Sequence, residues 1–525
     1  MKKYISILFL VLISSCDSFL DVPTATQTQL DTPKKIKELL ITSYPLANYA
    51  VLAELSGDNF IDNQVPVNNV SLVGEAFEPM DTELFEWRET ISSDEEDSPY
   101  YLWEQFYQSI AAANHVLEAI DILKTKGNTT NMNPQKGEAL ILRAYSHFIL
   151  VNLFAKTYKD PVNSANDLGV TYITQPAKKV IVQYERNSVA EVYALIDKDI
   201  EQGLPLIDDD VYDQPKYHFT KVAAHAFASQ FYLYKRDYQK VIEHADAVLG
   251  MGNPSALLRD WKSNYSNPET EMNVYINSNS AANLLLIPTY SIYNRRFGRY
   301  RYGWNGPASK GTNGAGPTWS SRPPFLQGWL WTSNQNYGAF HAKLMELFEY
   351  TNKIAGIGYP HIMRTEFTTD DVLLNRAEAK IMLGQIDAGV KDLDYWNVSH
   401  KGTRELTRNA VTSFYTANRA DFVFPFHTTE LSPQFVVTAE QKPFIDCVLH
   451  FRRLERLLEG HRWFDLKRYG IEITHLAGKS ATPIVLTYDD DRRAIQIPSD
   501  VIGAGYESNP REENAIPSDQ FKLFY

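Results

Sequence analysis

The densest group of ionisable side chains lies near the C-terminus, where Glu455, Glu459, His461 and Asp465 fall within eleven residues. Three carboxylates and an imidazole in one place could carry out general acid–base catalysis. Glu455 and Glu459 lie four residues apart, which places them on one face of a helix. Arginines stand three or four residues from one or the other glutamate, at Arg452, Arg456 and Arg462. Because ion pairs at this spacing satisfy the charges, the sequence favours a structural network over an active site, and we expect no catalytic residues.

Cys16 is a second residue whose chemistry follows from its position. Two lysines, an apolar run over 4–13 and two serines precede it. The apolar run is about ten residues long, whereas a permanent membrane helix needs about 20. This order is typical of a lipoprotein signal, which is cleaved before a cysteine that then carries acyl chains. We therefore expect lipidation at Cys16, with an ordinary secretory signal and a chance cysteine as the alternative.

The sequence offers few candidate residues for binding a metal ion or a phosphate group. None of the 12 histidines stands in a His-Glu-x-x-His array, and only Cys16 and Cys447 could supply thiolates. The acidic runs 208–210 and 489–491 could hold calcium, but solvated turns are the favoured interpretation. A Walker-type loop and a Gly-x-Ser-x-Gly elbow are both missing from the sequence. We expect no metal and no cofactor.

The middle of the chain has the composition of a binding surface. Residues 272–345 contain no aspartate or glutamate, although the chain has 64 of them in 525 residues. Flat aromatic rings can stack on sugar faces, and amide or guanidinium groups can bind hydroxyls or oxyanions. The predicted ligand-binding residues of this segment are Tyr302, Trp304, Asn305, Trp319, Arg322, Trp329 and Trp331. The alternative is that the tryptophans fix an irregular subdomain onto its neighbours.

Composition limits the classes of protein and partner. A chain of 525 residues with 44% hydrophobic content can bury a large core and exceeds the usual size of one domain. Its formal charge of −13 makes nucleic acid an unsuitable partner, because phosphate binding needs a basic surface. No apolar run of about 18 residues follows the signal, so we expect membrane contact through the lipid anchor only.

The elements that position these residues are predominantly amphipathic helices. Apolar residues at three- and four-residue spacing predict helices over 101–124, 134–154, 188–207, 220–234, 238–249, 370–383, 387–396 and 442–469. Ser188 and Glu191 form a capping-box pattern at one of these starts. Two stretches, 221–249 and 373–396, repeat a helix-turn-helix theme with small residues at spacings that let paired helices approach closely, as in tetratricopeptide repeats. A β-hairpin is predicted from 484–488 and 494–498.

These patterns predict a mainly α fold, with a tetratricopeptide-like helix-pair scaffold packed against an irregular loop-rich subdomain with small β-hairpins. The predicted segments are a signal peptide (1–15), a tether (16–32), an N-terminal helical scaffold (33–271), the acid-free aromatic region (272–345) and C-terminal helices with a β-hairpin (346–525).

Several motifs, taken in order, resemble the SusD/RagB family of surface lipoproteins in Bacteroidetes nutrient uptake. They are Cys16 followed by Phe19-Leu20-Asp21 and Pro23, then Leu142-Arg143-Ala144-Tyr145, then Arg376-Ala377-Glu378-Ala379, and finally the motif Glu455–Arg468 with Tyr469-Gly470. The chain departs from the family pattern at Arg456, where leucine is common, and at Thr351-Asn352-Lys353, where Asp-x-Arg is usual. These departures suggest a divergent branch.

The resemblance implies a SusD-like fold and a non-catalytic function. Such a protein is lipid-anchored and surface-exposed at the outer membrane, captures a nutrient such as an oligosaccharide, and delivers it to a SusC-like TonB-dependent β-barrel transporter. The family site is built from middle-region loops plus loops before the helix that begins near Tyr101, which adds Asp58, Asn59 and Trp87 as candidate ligand-binding residues. The alternatives are a surface glycoside hydrolase, which needs two carboxylates in its cleft, and a scaffold that binds proteins.

Overall fold

A computed structural model describes the chain over residues 30–67, 70–71, 78–177, 184–261, 267–296, 301–304, 308–328, 330–332, 339–416 and 421–511. The predicted signal peptide, Cys16 and most of the predicted tether lie outside these ranges. Among the described helices, none is both long enough and apolar enough to cross a membrane.

Helices dominate the described residues, so the predicted mainly α fold is confirmed. They are α1 (Pro33–Ile41), α2 (Ala50–Ser56), α3 (Pro79–Phe85), α4 (Pro99–Thr125), α5 (Asn133–Phe154), α6 (Val189–Gly203), α7 (Lys221–Lys235), α8 (Tyr238–Leu249), α9 (Pro268–Tyr275), α10 (Tyr293–Arg296), α11 (Thr369–Met382), α12 (Ile386–Ser399), α13 (Arg408–Tyr415), α14 (Thr428–Leu431), α15 (Lys442–Glu455), α16 (His461–Arg468) and α17 (Ser499–Gly503). Short 3-10 turns occupy Leu204–Leu206, Asp209–Val211, Pro215–Tyr217, Ala308–Gly311, Pro324–Gly328, Ala342–Leu344 and Asp491–Arg493.

Local sequence explains where the longest helices begin. The hydroxyl of Ser98 accepts a hydrogen bond from the Tyr101 backbone N–H, and Pro99 occupies the first position of α4. At the start of α6, the Ser188 hydroxyl accepts from the Glu191 N–H at 3.2 Å, and the Glu191 carboxylate accepts from the Ser188 N–H at 2.8 Å. The capping box predicted there is confirmed.

The helices pack in consecutive pairs. Helix α5 packs against α4 and α6, α7 packs against α8, and α11 packs against α8, α12 and α15. The predicted helix-turn-helix stretches are α7 with α8 and α11 with α12, as expected from their small residues. Gly137 of α5 lies where a Cβ atom would stand 2.8 Å from the Gly203 carbonyl oxygen at the end of α6. The two backbones meet at this point because neither residue has a side chain.

Small antiparallel sheets connect the helical parts. The strands are β1 (Ile61–Asp62), β2 (Pro66–Val67), β3 (Val70–Ser71), β4 (Asn283–Thr289), β5 (Tyr302–Gly303), β6 (Leu330–Thr332), β7 (Ala339–His341), β8 (Glu346–Asn352), β9 (Ile357–Thr368), β10 (Ile473–Ala477) and β11 (Thr482–Leu486). The largest described sheet has the order β4-β9-β8, with Asn283 opposite Thr368 and Thr289 opposite Ile362. Since β9 leads directly into α11, this sheet joins the acid-free segment to the C-terminal helices. The other sheets have two strands: β1-β5, β2-β3, β6-β7 and β10-β11.

The larger of two hydrophobic cores among the described residues runs through most of these elements. It extends from Tyr44 to Ile497 and includes residues from all three folded segments predicted from the sequence. Tyr145 of α5, Phe227 of α7 and Phe367 of β9 contact one another with ring centroids 5.8 to 6.0 Å apart. Nearer the C-terminus, Trp396 stacks on Phe451 at 4.3 Å.

Two predicted elements are wrong. The predicted helix over 442–469 is interrupted between Glu455 and His461, because Leu458 and Gly460 adopt φ values of 65° and 87°. A Cβ on Gly460 would stand 3.0 Å from the Ala50 Cα, so this turn fits closely onto α2. The predicted hairpin is displaced: β10 pairs with β11, with Ile473 opposite Leu486 and Ala477 opposite Thr482. Gly478, at a φ of 65°, allows the turn between them.

Candidate ligand-binding site

Five of the ten predicted ligand-binding residues are buried, with at most 6% of each exposed: Asn59, Trp87, Tyr302, Trp304 and Trp319. In this conformation their side chains cannot stack on a ligand or bind one. The structure therefore corrects their expected role from ligand contact to packing. The physical reason is that each of them also has its polar atoms bonded within the fold, as the following contacts show.

Trp304 and Trp319 hold the acid-free segment on the helices. The Trp304 indole N–H donates to the Thr312 hydroxyl at 3.0 Å, and the Trp319 indole N–H donates to the Gly314 carbonyl at 3.0 Å. The Trp319 ring also stacks on Phe451 of α15 at 5.9 Å. This is the arrangement of the alternative interpretation, in which tryptophans fix an irregular subdomain to its neighbours.

Trp87 and Tyr302 belong to an aromatic group around His475. The imidazole lies against Phe85 at 4.0 Å and against Trp87 at 4.3 Å, nearly parallel to both rings. The Trp87 indole N–H donates to the Ser56 carbonyl at 2.9 Å, and the Tyr302 hydroxyl bonds the Thr82 hydroxyl at 2.9 Å. These contacts attach β10 to α3 and to the end of α2.

Asp58 and Asn59 accept hydrogen bonds from arginines in and next to the C-terminal motif. The Arg462 guanidinium donates to both oxygens of Asp58, at 2.9 and 2.8 Å, and Arg453 donates to the Asn59 side-chain oxygen at 2.8 Å. Burial raises the pKa of Asp58, but the charges of Arg453 and Arg462 outweigh it and hold that pKa well below its usual range. Both side chains therefore have partners within the fold; Asn59 is buried, and the ligand-binding role of Asp58 stays a prediction.

The other predicted residues stay predictions. Arg322 is exposed on the 308–328 loop. The backbone of Trp331 lies in β6, which pairs with β7, and its side chain lies outside the described residues. Asn305 and Trp329 lie outside them as well.

Acidic residues from other segments neutralise several cations of the acid-free segment. Arg301 donates to the buried Asp62 at 2.6 Å, Lys343 pairs with Glu459 at 2.8 Å, and Arg295 pairs with Glu346 at 2.6 Å. The segment without acids thus obtains its counter-charges across the fold. The cations at these three positions therefore take part in the packing of the fold.

The C-terminal motif is a buried ion network, as predicted. The Glu459 carboxylate accepts hydrogen bonds from Arg456 at 2.7 Å and from the Tyr275 hydroxyl at 2.9 Å. Burial raises the pKa of Glu459, and the charges of Lys343 and Arg456 overcome this and hold it well below its usual range. Glu455 differs from the prediction, because its partners are His400 and the Trp396 indole rather than an arginine.

A pocket that the sequence analysis missed has the chemistry expected of a sugar site. It has a volume of about 280 Å³ and lies between α4, the residues Thr171, Ile173 and Tyr184, and the stretch 501–506 at the end of α17. Its lining residues are Trp103, Tyr107, Thr171, Ile173, Tyr184, Val501, Ala504, Gly505 and Tyr506. None of these lining residues is acidic or basic, and four of them are aromatic.

Hydrogen bonds hold the aromatic walls of this pocket in place. The Tyr107 hydroxyl donates to the Thr171 carbonyl at 3.0 Å, and the Thr171 N–H donates to the Tyr506 hydroxyl at 3.0 Å. Trp103 contacts Tyr107 at 4.9 Å and Tyr506 at 5.4 Å. Burial and the nearby Tyr506 raise the pKa of Tyr107 well above its usual value, so its hydroxyl stays neutral. Tyr184, which is 37% exposed, stands at the rim.

Two larger depressions have less suitable chemistry. One of about 420 Å³ is lined by the 487–492 loop, where Lys156 pairs with Asp491 at 2.7 Å and Arg492 pairs with Asp490 at 2.7 Å. These ion pairs neutralise the acidic run that could have held calcium. The other, of about 460 Å³, is an open groove along α4 with Glu118, Asp121 and Lys126 among its lining residues.

The aromatic pocket could not be found from sequence periodicity. Trp103 and Tyr107 are one turn apart on α4, which is also the spacing of ordinary core residues. The other walls come from residues about 70 and 400 positions further along the chain. Only the folded chain brings them together.

Comparisons with known proteins agree with the architecture. Two family models match the chain: one described as starch-binding associating with outer membrane, over residues 18–233, and one described as the SusD family, over residues 293–496. SusD-like protein P38 of Formosa agariphila is 24% identical over 89% of this chain and 92% of its own length.

Solved structures show the same fold. A Bacteroides vulgatus protein is 18% identical, with a TM-score of 0.65 over 92% of this chain and 99% of its own. A SusD-like carbohydrate binding protein from the same organism is 15% identical, with a TM-score of 0.56 over 90% of this chain and 96% of its own. The helix pairs, the motif Glu455–Arg468 and these matches lead to one conclusion. The chain belongs to the SusD/RagB family.

Proposed function

We propose that this protein is a non-catalytic lipoprotein of the outer membrane that binds oligosaccharide at the cell surface and passes it to a SusC-like TonB-dependent transporter. Family membership is the observation that carries this proposal. One matching model describes starch binding in association with the outer membrane, and one structural relative is a carbohydrate binding protein.

The chemistry of the aromatic pocket supports a sugar as the ligand. The lining rings come from three parts of the chain, and Tyr184 at the rim offers an accessible face for stacking on sugar C–H groups. A glycoside hydrolase needs two carboxylates about 5 to 10 Å apart beside the bound sugar. The lining of this pocket contains no carboxylate, which favours binding without cleavage.

The N-terminal sequence predicts a lipid anchor. Cys16 stands directly after an apolar run and two small residues, so acylation there would hold the folded part at a membrane surface. A lipid anchor suits delivery to a transporter, because an anchored protein stays next to a membrane-embedded partner.

A glycan array tests the proposed function. The full-length chain, purified in mild detergent, is applied to immobilised oligosaccharides and, on the same slide, to peptides. We expect retention on at least one oligosaccharide class, and full recovery of that oligosaccharide by mass spectrometry after overnight incubation with the protein. Retention on peptides alone would support the scaffold alternative, and shortened oligosaccharides would support the hydrolase.

A further inference from the structure

Three ionisable side chains from three helices meet in the core, away from the aromatic pocket. They are Asp370 in the first turn of α11, His400 directly after α12, and Glu455 at the end of α15. One ligand atom from each lies within 4.8 Å of the others. All three residues are at least 98% buried. Such a group requires compensation, because isolated charges are strongly disfavoured in a core.

The hydrogen bonds of His400 determine which ring nitrogen carries its proton. Nδ1 lies 2.8 Å from the Trp396 carbonyl oxygen, which can only accept. The Ser399 hydroxyl is 2.9 Å from Nδ1 and donates its hydrogen to that same carbonyl at 2.9 Å, so Nδ1 donates. The other nitrogen, Nε2, lies 2.7 Å from a Glu455 carboxylate oxygen. Two lone pairs cannot face each other at this distance. A positive charge must therefore lie between them, either a proton or a metal ion.

Two further carboxylate atoms distinguish a proton from a metal ion. Oδ1 of Asp370 and Oε1 of Glu455 are both buried, and neither has a hydrogen-bond partner. A proton between His400 and Glu455 leaves both oxygens unsatisfied. A metal ion bound by all three side chains supplies a partner to each carboxylate at once.

The neighbouring cationic side chains bind acceptors other than the two unpartnered carboxylate oxygens. Lys343 donates to the Glu455 carbonyl oxygen and pairs with Glu459, and Arg456 binds Asp371 and Glu459. The Arg259 backbone N–H donates to Asp370 Oδ2 at 3.2 Å, whereas its guanidinium binds Asn283 and the Tyr275 carbonyl. None of these contacts reaches the two unpartnered oxygens.

The surroundings enclose the three side chains and orient the imidazole. The Trp396 ring stacks on His400 at 3.7 Å, and Phe325 contacts the imidazole edge-on at 4.7 Å. The Trp396 indole N–H donates to Glu455 Oε2 at 2.8 Å, and its carbonyl orients the imidazole. Outer contacts of this kind fix the tautomer that leaves Nε2 available to a metal.

We propose that Asp370, His400 and Glu455 bind one zinc ion that fastens α11, α12 and α15 together. One imidazole and two carboxylates suit Zn²⁺, whose ligands at about 2.0 to 2.2 Å lie roughly 3.3 Å from one another. His400 Nε2 and the facing Glu455 oxygen, 2.7 Å apart in this conformation, must separate to reach that spacing. The role is structural and independent of the oligosaccharide ligand, so failure of either proposal leaves the other standing.

Metal content and thermal unfolding test this proposal. The full-length chain is freed of metal with a chelator, supplied with Zn²⁺ alone, desalted and assayed by mass spectrometry of the element. We expect about one zinc per chain and a rise in Tm of about 4 °C in saturating Zn²⁺. Replacing Zn²⁺ with Co²⁺ should give the visible absorption of a protein-bound cobalt ion.

Variants separate this site from other histidines. His400→Gln and Asp370→Asn should each lose the bound zinc and the Tm shift. His115→Gln, on the surface, and His244→Gln, at the half-buried His225–His244 pair, should keep both. Asp370→Asn is the informative variant if His400→Gln does not fold, because an amide fits the same space. Wild-type protein without zinc, or zinc retained by Asp370→Asn, would overturn the proposal and leave a shared proton as the explanation.

Discussion

At the scale of single residues, the sequence indicates which side chains take part in the fold or the site, but not whether each side chain faces solvent or the core. Residues 272–345 are rich in aromatic rings and contain no acids, but this composition does not say whether a given ring faces solvent or the core. Trp304 and Trp319 face the core because the neighbouring loop offers their indole N–H groups an acceptor. Buried tryptophans usually find such a partner.

Asp58 gives a prediction at this scale. Asp58→Asn removes the carboxylate that binds Arg462 and leaves two nearly buried arginines without their counter-charge, so we expect the free energy of unfolding at pH 7 to fall by about 3 kcal/mol. The folded-state pKa of Asp58 is depressed, so its stabilisation is complete above the unfolded-state value of 3.8 and is lost as the pH falls below it. The difference between variant and wild type should therefore shrink below that pH.

Urea unfolding of both proteins at several pH values measures this effect. The matched control is Asp213→Asn, because Asp213 also pairs with a cation but its side chain is 92% exposed. A surface pair contributes little, so the control should change stability by less than about 0.5 kcal/mol. Equal effects of the two substitutions, or a difference that does not depend on pH, would contradict the account of Asp58.

At the scale of elements, the helices could be predicted because their cause is local. Apolar spacing and caps such as Ser188 with Glu191 act within a few residues. The break between α15 and α16 and the position of the β10-β11 hairpin could not be predicted in the same way. The break depends on Gly460 fitting against Ala50, about 400 residues earlier, and β10 is held by the contact of His475 with Phe85 and Trp87.

Gly137 gives a prediction at this scale. A valine there would place its Cβ 2.8 Å from the Gly203 carbonyl oxygen and 3.0 Å from the Ile207 nitrogen, both of which are backbone atoms. Since backbone cannot move aside cheaply, Gly137→Val should lower the free energy of unfolding by about 2 to 3 kcal/mol. The urea midpoint measures this loss.

The control for Gly137 is Gly252→Val. A Cβ at Gly252 would have no heavy atom within 4 Å, so this substitution should leave the midpoint nearly unchanged. A Gly137→Val protein as stable as wild type would show that α5 and α6 are not held together by close backbone contact.

At the scale of the whole molecule, the fold joins segments that are far apart in sequence. Loop residues Asp58 and Asn59 bind arginines of the C-terminal motif, and Lys343 of the acid-free segment binds Glu459. The family could be recognised from ordered motifs, of which Glu455–Arg468 contributes Glu459 and Arg462 to these contacts. The aromatic pocket could not, since Trp103, Tyr184 and Tyr506 come from three separate parts of the chain.

The central claim is that the aromatic pocket binds oligosaccharide, and titration calorimetry with the glycan selected on the array tests it most directly. Tyr184→Ala at the pocket rim should weaken binding about tenfold, equivalent to about 1.4 kcal/mol, through the loss of one stacking face. Tyr359→Ala, which removes a more accessible tyrosine in β9, should leave the affinity unchanged. The opposite result would contradict the account: unchanged binding by Tyr184→Ala together with lost binding by Arg322→Ala would place the ligand on the acid-free loops instead.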